Sequence, residues 1–508
     1  MTHLQSLLDG SFALLTSLVA IILIVAALYR STGKRRQEYI PGVPIIGVEG
    51  NASLADARER FRNNAKEMLL DGYTKYKGGP FYVPSPLGER LMIPPKYVEE
   101  LKSAAVEDCD FVGTFFEMFE GRYTTMGDRS TLHPRVAKTQ LNMSLGDILP
   151  SVREEIEDSF REALPLCDEW TEVAVADRFV TIVARVSSRM FGGTELSRHT
   201  EWVDSTINFA VDGFVLAQKL KAVPELLRPL VSRIFPEMKK ISAHHETARK
   251  VIVPILERRE TLPKQEAKPR DFLQWMTDEA KGVEKKKSFL SKIQLKLSFA
   301  AIHTSAAAPV QLLYDLCVMP EYVTTLRSEL DQVLQEYGEL NKQALAKLEK
   351  MDSIMKESQR FNPLLLITFE RIITKNTTLS DGFTIPRGTT IGVPAQALSM
   401  DPDLYPDPER FDGFRFVKTG EKGALREQYA ASNLRSMAFG YGRHACPGRF
   451  FASCEIKMIM SYLLLNYDFK FPEARKERPS SAAVETQLLP NHDATICLRQ
   501  RPSRVWAN

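Results

Sequence analysis

Cysteine is scarce and unpatterned. Six residues (Cys109, Cys167, Cys317, Cys446, Cys454, Cys497) are scattered over 508 positions, with no CxxC pair. That argues against a disulfide framework and a structural zinc site, and fits a reducing compartment. Excess charge of one sign is also lacking. Against 67 Lys and Arg stand 64 Asp and Glu, a net +3, which gives no reason to expect nucleic acid as a partner. There is no internal repeat and no low-complexity tract. The segment His244-His245-Glu246-x-x-Arg249 resembles a zinc-protease helix only superficially, because Arg249 stands where the second ligand is needed. What is present is a 44% hydrophobic chain able to bury a large core. Its length alone allows two or three domains.

One long uncharged run stands out, Phe12 to Tyr29. It is close to the ~20 residues a membrane helix needs. Asp9 but no Lys or Arg precedes it, and Arg30, Lys34, Arg35 and Arg36 follow. A cleaved secretory signal has the opposite asymmetry, and the positive-inside rule leaves the body of the protein in the cytosol. The expectation is a lumenal stub over 1–11, a transmembrane signal anchor of the endoplasmic reticulum over 12–29, a basic and proline-rich linker over 30–45, and a catalytic body over 46–508. The sequons at Asn51, Asn142 and Asn376 would then go unmodified.

Further on, Phe81–Val83 and Arg90–Ile93 read as a hairpin, and 97–262 as helical by apolar spacing. The charged stretch 264–287 reads as an exposed loop flanking a short helix. Ser288 to Val318 reads as one long, mostly apolar helix. Within it Pro309 cannot donate to the Ser305 carbonyl, so a local widening beside Thr304 is expected. Tyr467–Phe471 and Thr495–Leu498 read as closing strands, with Leu488-Leu489-Pro490 as a tip between them.

The most informative stretch is Phe439-Gly-Tyr-Gly-Arg-His-Ala-Cys-Pro-Gly448. Gly440 and Gly442 permit the positive φ of a tight loop, and Pro447 suits a helix start. Gly448 leaves room for something large against the backbone. Cys446 thus sits at a helix N-terminus beside Arg443 and His444, surroundings that favour a thiolate acting as metal ligand or nucleophile. Gly440-x-Gly442-x-x-Ala445, with Asp468 beyond, also fits a dinucleotide fingerprint. The strand before it is too short, and no alternation of strands and helices surrounds it.

The spacing Phe439-x-x-Gly442-x-His444-x-Cys446-x-Gly448 resembles the haem-ligand loop of the cytochrome P450 family. The resemblance covers about residues 40–500 and implies a mainly α fold with a small β-rich lobe. It also implies haem b bound through the Cys446 thiolate, with Arg371, His444 and Lys138 as partners of the haem carboxylates. In Ala300-Ala-Ile-His-Thr-Ser305, Thr304 matches the family's oxygen-activating threonine. His303 stands where an acid is usual, leaving it either as a proton relay or as a satisfied interior histidine, with Ser305 as a second assistant. Glu357 and Arg360 match the family's buried ExxR pair, with Arg410 of Pro408-Glu-Arg-Phe411 completing a triad.

Phe115, Phe116, Leu365, Leu366 and Leu488 would make the pocket apolar, which suits a lipophilic substrate. The implied activity is a monooxygenase of fungal secondary metabolism acting on a terpenoid or indole-alkaloid intermediate. Electrons would come from NADPH through a membrane-bound cytochrome P450 reductase, which would dock on Arg435, Arg449 and Lys457. Two other readings stay open: an oxygen-independent haem-thiolate isomerase or dehydratase, and a non-catalytic haem-binding membrane protein.

Overall fold

The computed structural model describes residues 39–50, 52–85, 88–263, 267–417, 427–502 and 506. The apolar run at 12–29 and the sequon at Asn51 lie outside them. Among the described residues no helix is long and apolar enough to cross a membrane.

Helices carry most of the chain: α1 (Leu54–Lys75), α2 (Phe111–Met118), α3 (Leu145–Ala163), α4 (Val175–Gly192), α5 (Thr200–Lys221), α6 (Pro236–Glu260), α7 (Phe272–Glu279), α8 (Lys287–Val318), α9 (Glu321–Tyr337), α10 (Glu349–Phe361) and α11 (Arg449–Asn466). Helix α8 is mostly apolar, and from Ser305 to Leu316 it is covered almost all round. It packs against α4, α5, α6, α10 and α11, the arrangement expected of a helix with no polar stripe. Ile302, Leu312 and Leu313 along it are buried. Ala300 and Thr304, one turn apart, are exposed. On a core helix such a pair marks the wall of an internal groove. The helix passes Pro309 without a break, so the expected widening leaves no interruption in it.

The β-rich lobe is a five-stranded sheet in the order β1-β2-β8-β5-β3. Its strands are β1 (Phe81–Val83), β2 (Arg90–Met92), β3 (Cys109–Asp110), β5 (Thr368–Ile373) and β8 (Thr390–Val393). β1 and β2 form the expected hairpin, Phe81 opposite Met92. Between β5 and β8 the register shifts between Thr368 and Arg371, where Phe369 takes a φ of 56°. A bulky residue in the left-handed region is strained. The bulge re-aims the two residues after it, Glu370 and Arg371, both of which belong to the site. β4 (Thr171–Ala174) joins β12 (Thr495–Gln500) and β9 (Tyr467–Lys470) in a second sheet, and β6 (Thr377–Thr378) pairs with β7 (Thr384–Ile385).

Three expectations are corrected here. The stretch 97–262 is not helical throughout, since β3 and β4 interrupt it. The charged stretch 264–287 does hold a short helix, α7. Its N-cap Asp271 accepts from the Gln274 N–H at 2.9 Å, and Phe272, Leu273 and Met276 are buried, so α7 belongs to the core. Leu488 lies inside the hairpin of β10 (Ala482–Val484) and β11 (Gln487–Leu489). The tip is Glu485–Thr486, where Glu485 has a φ of 54°.

Candidate functional site

The cysteine loop is fixed by its own backbone. Gly440 and Gly442 have φ of 69° and 71°, and the Cys446 N–H donates to the Phe439 carbonyl at 2.8 Å. The Arg443 N–H donates to the Lys102 carbonyl at 2.9 Å, and a Cβ on Gly442 would collide with that carbonyl. The Phe439 ring packs edge-on against Tyr429. Helix α11 begins three residues after Cys446. Burial pushes the Cys446 thiol up, partly offset by the Gly448 and Arg449 N–H groups and the Arg449 guanidinium. A sulfur so enclosed keeps its negative charge when a metal cation shares it. A Cβ on Gly448 would meet no protein atom within 4 Å, so the room there is kept for something other than protein.

Cations crowd the same place. Arg371 is 3% exposed. Its guanidinium donates to the Glu370 carbonyl at 2.7 Å and lies 4.7 and 4.5 Å from the Phe111 and Phe369 ring centres. Burial lowers its pKa to about 10. His444 stacks on Phe111, and its buried Nε2 has no partner among the described residues. Burial, then Arg371, Lys138 and Arg443, hold its pKa down at about 4. Lys138 reaches the Arg443 carbonyl at 2.9 Å. Arg371 and Lys138 each donate to a backbone carbonyl, with Glu370 near Arg371 and Asp110 near His444, and the carboxylates of haem fit their remaining donors.

On α8, the Thr304 hydroxyl donates to the Ala300 carbonyl of its own helix at 2.8 Å. His303 turns elsewhere: its Nε2 lies 3.0 Å from the Ile207 carbonyl on α5, and burial lowers its pKa. It is a neutral tether between two helices. Ser305 faces Glu455 of α11, which sequence reading missed. Glu455 is 1% exposed and accepts from the Ser187 hydroxyl at 2.8 Å. Burial raises its pKa to about 8, with Ser187 and Ser305 opposing. The available signal was one acid in a helix otherwise poor in charge.

Glu357 and Arg360 form a bidentate pair, both bonds 2.8 Å, and Arg360 also donates to the Pro408 carbonyl at 2.7 Å. The third cation is not Arg410, which is exposed. It is Arg415, whose Nε lies 3.2 Å from Glu357 while its NH2 group holds the Arg410 carbonyl at 2.9 Å. The segment offers two arginines five residues apart, and sequence alone does not say which turns inward.

The apolar pocket residues divide. Phe115 packs between Phe111 and Phe119 and Leu365 is partly exposed. Phe116 instead lies against Gly121 and Gly127 under Arg129. Leu366 and Leu488 are buried in a separate cluster with Phe61 and Phe81. Lys457 is not a docking residue: it is 6% exposed, ion-paired to Asp352 at 2.5 Å.

A metal shared by the sulfur and an anionic frame held by the rim cations define a class, the haem-thiolate proteins. The chain belongs to the cytochrome P450 family, whose sequence model matches residues 124–498. It is 36% identical over 461 residues to the cytochrome P450 monooxygenase olcJ of Penicillium canescens, covering 88% of this chain and 86% of the relative. It is 36% identical over 456 residues to an ent-kaurene oxidase of Fusarium fujikuroi, covering 88% and 86%. With the monooxygenase penP of Penicillium crustosum it shares 32% over 512 residues, 98% and 97% of the two chains. The chain is therefore an enzyme of the P450 monooxygenase class, related to those of fungal secondary metabolism. The family implies a haem with a cysteine thiolate ligand, a small-molecule substrate and a redox partner.

Proposed function

We propose that this enzyme oxidises a lipophilic small molecule, by hydroxylation or further oxidation, and that the substrate is a terpenoid or indole-alkaloid intermediate of fungal secondary metabolism. The observation that carries the reading is the buried Cys446 loop with Arg371, His444 and Lys138 beside it, its following helix joined to the Thr304 stretch of α8 through Glu455 and Ser305. Relatives named ent-kaurene oxidases support a terpenoid. Bound haem supplies the reductive activation of dioxygen for oxygen insertion into a C–H bond. Cys446 offers its sulfur to the iron, and Arg371, His444 and Lys138 face the haem carboxylates. Thr304 Oγ accepts or passes a proton in the groove. Ser305 links that helix to Glu455, and His303 holds α5 against α8. Glu357, Arg360 and Arg415 brace the segment leading to the cysteine loop.

Electrons come from NADPH through a membrane-bound reductase, which docks beside the cysteine loop near Arg435 and Arg449. Residues 12–29 anchor the enzyme in the endoplasmic reticulum with its body cytosolic. The test is to compare metabolites of strains with and without the gene, by accurate mass, under 18O2. A precursor lighter than the lost product by one labelled oxygen supports the proposal. Isomeric or water-related compounds replace it with the oxygen-independent reading.

A further inference from the structure

The start of α11 is built against the ordinary preference of a helix. Gly448 caps it without a side chain, no acid stands in its first turn, and its first residue is Arg449. The N-terminal end of a helix favours anions, so a cation at its first position works against it. A residue kept against its local preference marks a demand from elsewhere in the structure.

The Arg449 side chain shows where that demand lies. It is half-buried, and its Nη1 donates to the Cys446 carbonyl at 2.8 Å. Its guanidinium lies 4.5 Å from the Phe450 ring centre. Its buried Nε has no partner among the described residues, and among them the side chain makes no ion pair. An arginine serving only as a surface charge keeps its head in water. This one is folded back onto the turn that carries the cysteine. The sulfur there has few donors: Pro447 has no N–H to give, which leaves the backbone groups of Gly448 and Arg449. The Arg449 guanidinium joins them in offsetting the burial of the thiol.

We propose that Arg449 is a positioning residue for the monooxygenase reaction: fixed on the Cys446 carbonyl, its charge draws electron density from the thiolate and raises the reduction potential of the haem iron. The step it acts on is the transfer of one electron from the redox partner to ferric iron, which gives ferrous iron. The site gains one negative charge in that step, and a fixed cation close by stabilises the reduced form more than the oxidised one. The proposal rests on Cys446 as the haem ligand and on neither the substrate nor the docking of a reductase.

The test is a spectroelectrochemical titration of the haem-loaded full chain with dithionite and mediator dyes, without substrate, reductase or NADPH. Arg449→Gln keeps a donor for the carbonyl and loses the charge, whereas Arg449→Lys keeps the charge. Arg449→Gln is expected to lower the equilibrium constant for reduction about tenfold, the effect of one charged hydrogen bond, a fall of about 59 mV for one electron. Arg449→Lys is expected to lose less than half of that. Equal potentials in the wild type and Arg449→Gln would leave Arg449 as a docking charge alone. Equal falls in the two variants would make it a packing residue. The ferrous carbon monoxide spectrum is recorded first, and loss of its thiolate form in either variant would assign Arg449 to the fold. Each of these three results overturns the proposal. Because no oxygen is consumed, that failure is distinct from failure of the 18O2 experiment.

Discussion

Glu455 shows what a single buried acid does to the whole chain. Its folded pKa of about 8 lies above the ordinary value of 4.5, so between those values the native state holds a proton that the unfolded chain releases. The stability tied to that proton is complete below the unfolded value and is lost as pH rises through the folded one, at most about 1.4 kcal/mol per pH unit. Urea midpoints should therefore fall less steeply between about pH 5 and pH 8 in Glu455→Gln than in the wild type; parallel profiles would remove Glu455 as the titrating group. Thr304 is tested by electron balance. With reductase, NADPH and a turned-over substrate, Thr304→Ala should send a larger share of NADPH electrons to peroxide. Thr304→Ser, which keeps the hydroxyl, should stay near wild type. Unchanged coupling in the alanine variant would sink the role given to the hydroxyl.

Among elements, the segment from Pro406 to Val417 is the one whose reading changed. The ExxR pair was legible because i and i+3 on a helix face one way. The choice between Arg410 and Arg415 was not, because that segment has no period from which to infer direction. Denaturant melts should rank the arginines. Arg360→Met leaves the fully buried Glu357 carboxylate with Arg415 as its one cation and should cost ~3–5 kcal/mol. Arg415→Met leaves Arg360 in place and should cost about 1–2 kcal/mol. Arg410→Met should stay within about 0.5 kcal/mol. Equal losses at 410 and 415 would contradict the assignment. The strained turn at Phe369 was likewise invisible, since nothing in Thr-Phe-Glu-Arg marks a left-handed residue. Helix α8 was read almost to the residue, because a mostly apolar stretch of that length leaves few alternatives.

For the whole molecule, residues 1–38 carry the proposal that can be separated from all others. Deleting them should move the protein from the alkaline-resistant membrane fraction to the soluble one, with Asn142 and Asn376 unglycosylated in the full chain. Retention of the truncated chain on membranes, or glycan at either sequon, would contradict the anchor or its orientation. The architecture was legible through local patterns: a glycine loop, a long apolar helix, a two-strand hairpin. The pairing of Arg90 with Glu370 and of Lys221 with Glu485 was not, because the partners come from distant stretches and no spacing brings them together.

The pinning of the cysteine loop has a consequence in time. Tyr441 reaches Glu99 across 342 positions, and Lys138 reaches Arg443 across 305. Such contacts form only once both ends of the chain are available, and contacts of this span are slow to form. A ribosome that has released the helices up to α10 has therefore made the oxygen-side wall but not the ligand that faces it. Cofactor capture is deferred to the end of synthesis, and a nascent chain stalled before residue 440 should fold its helices yet retain no haem.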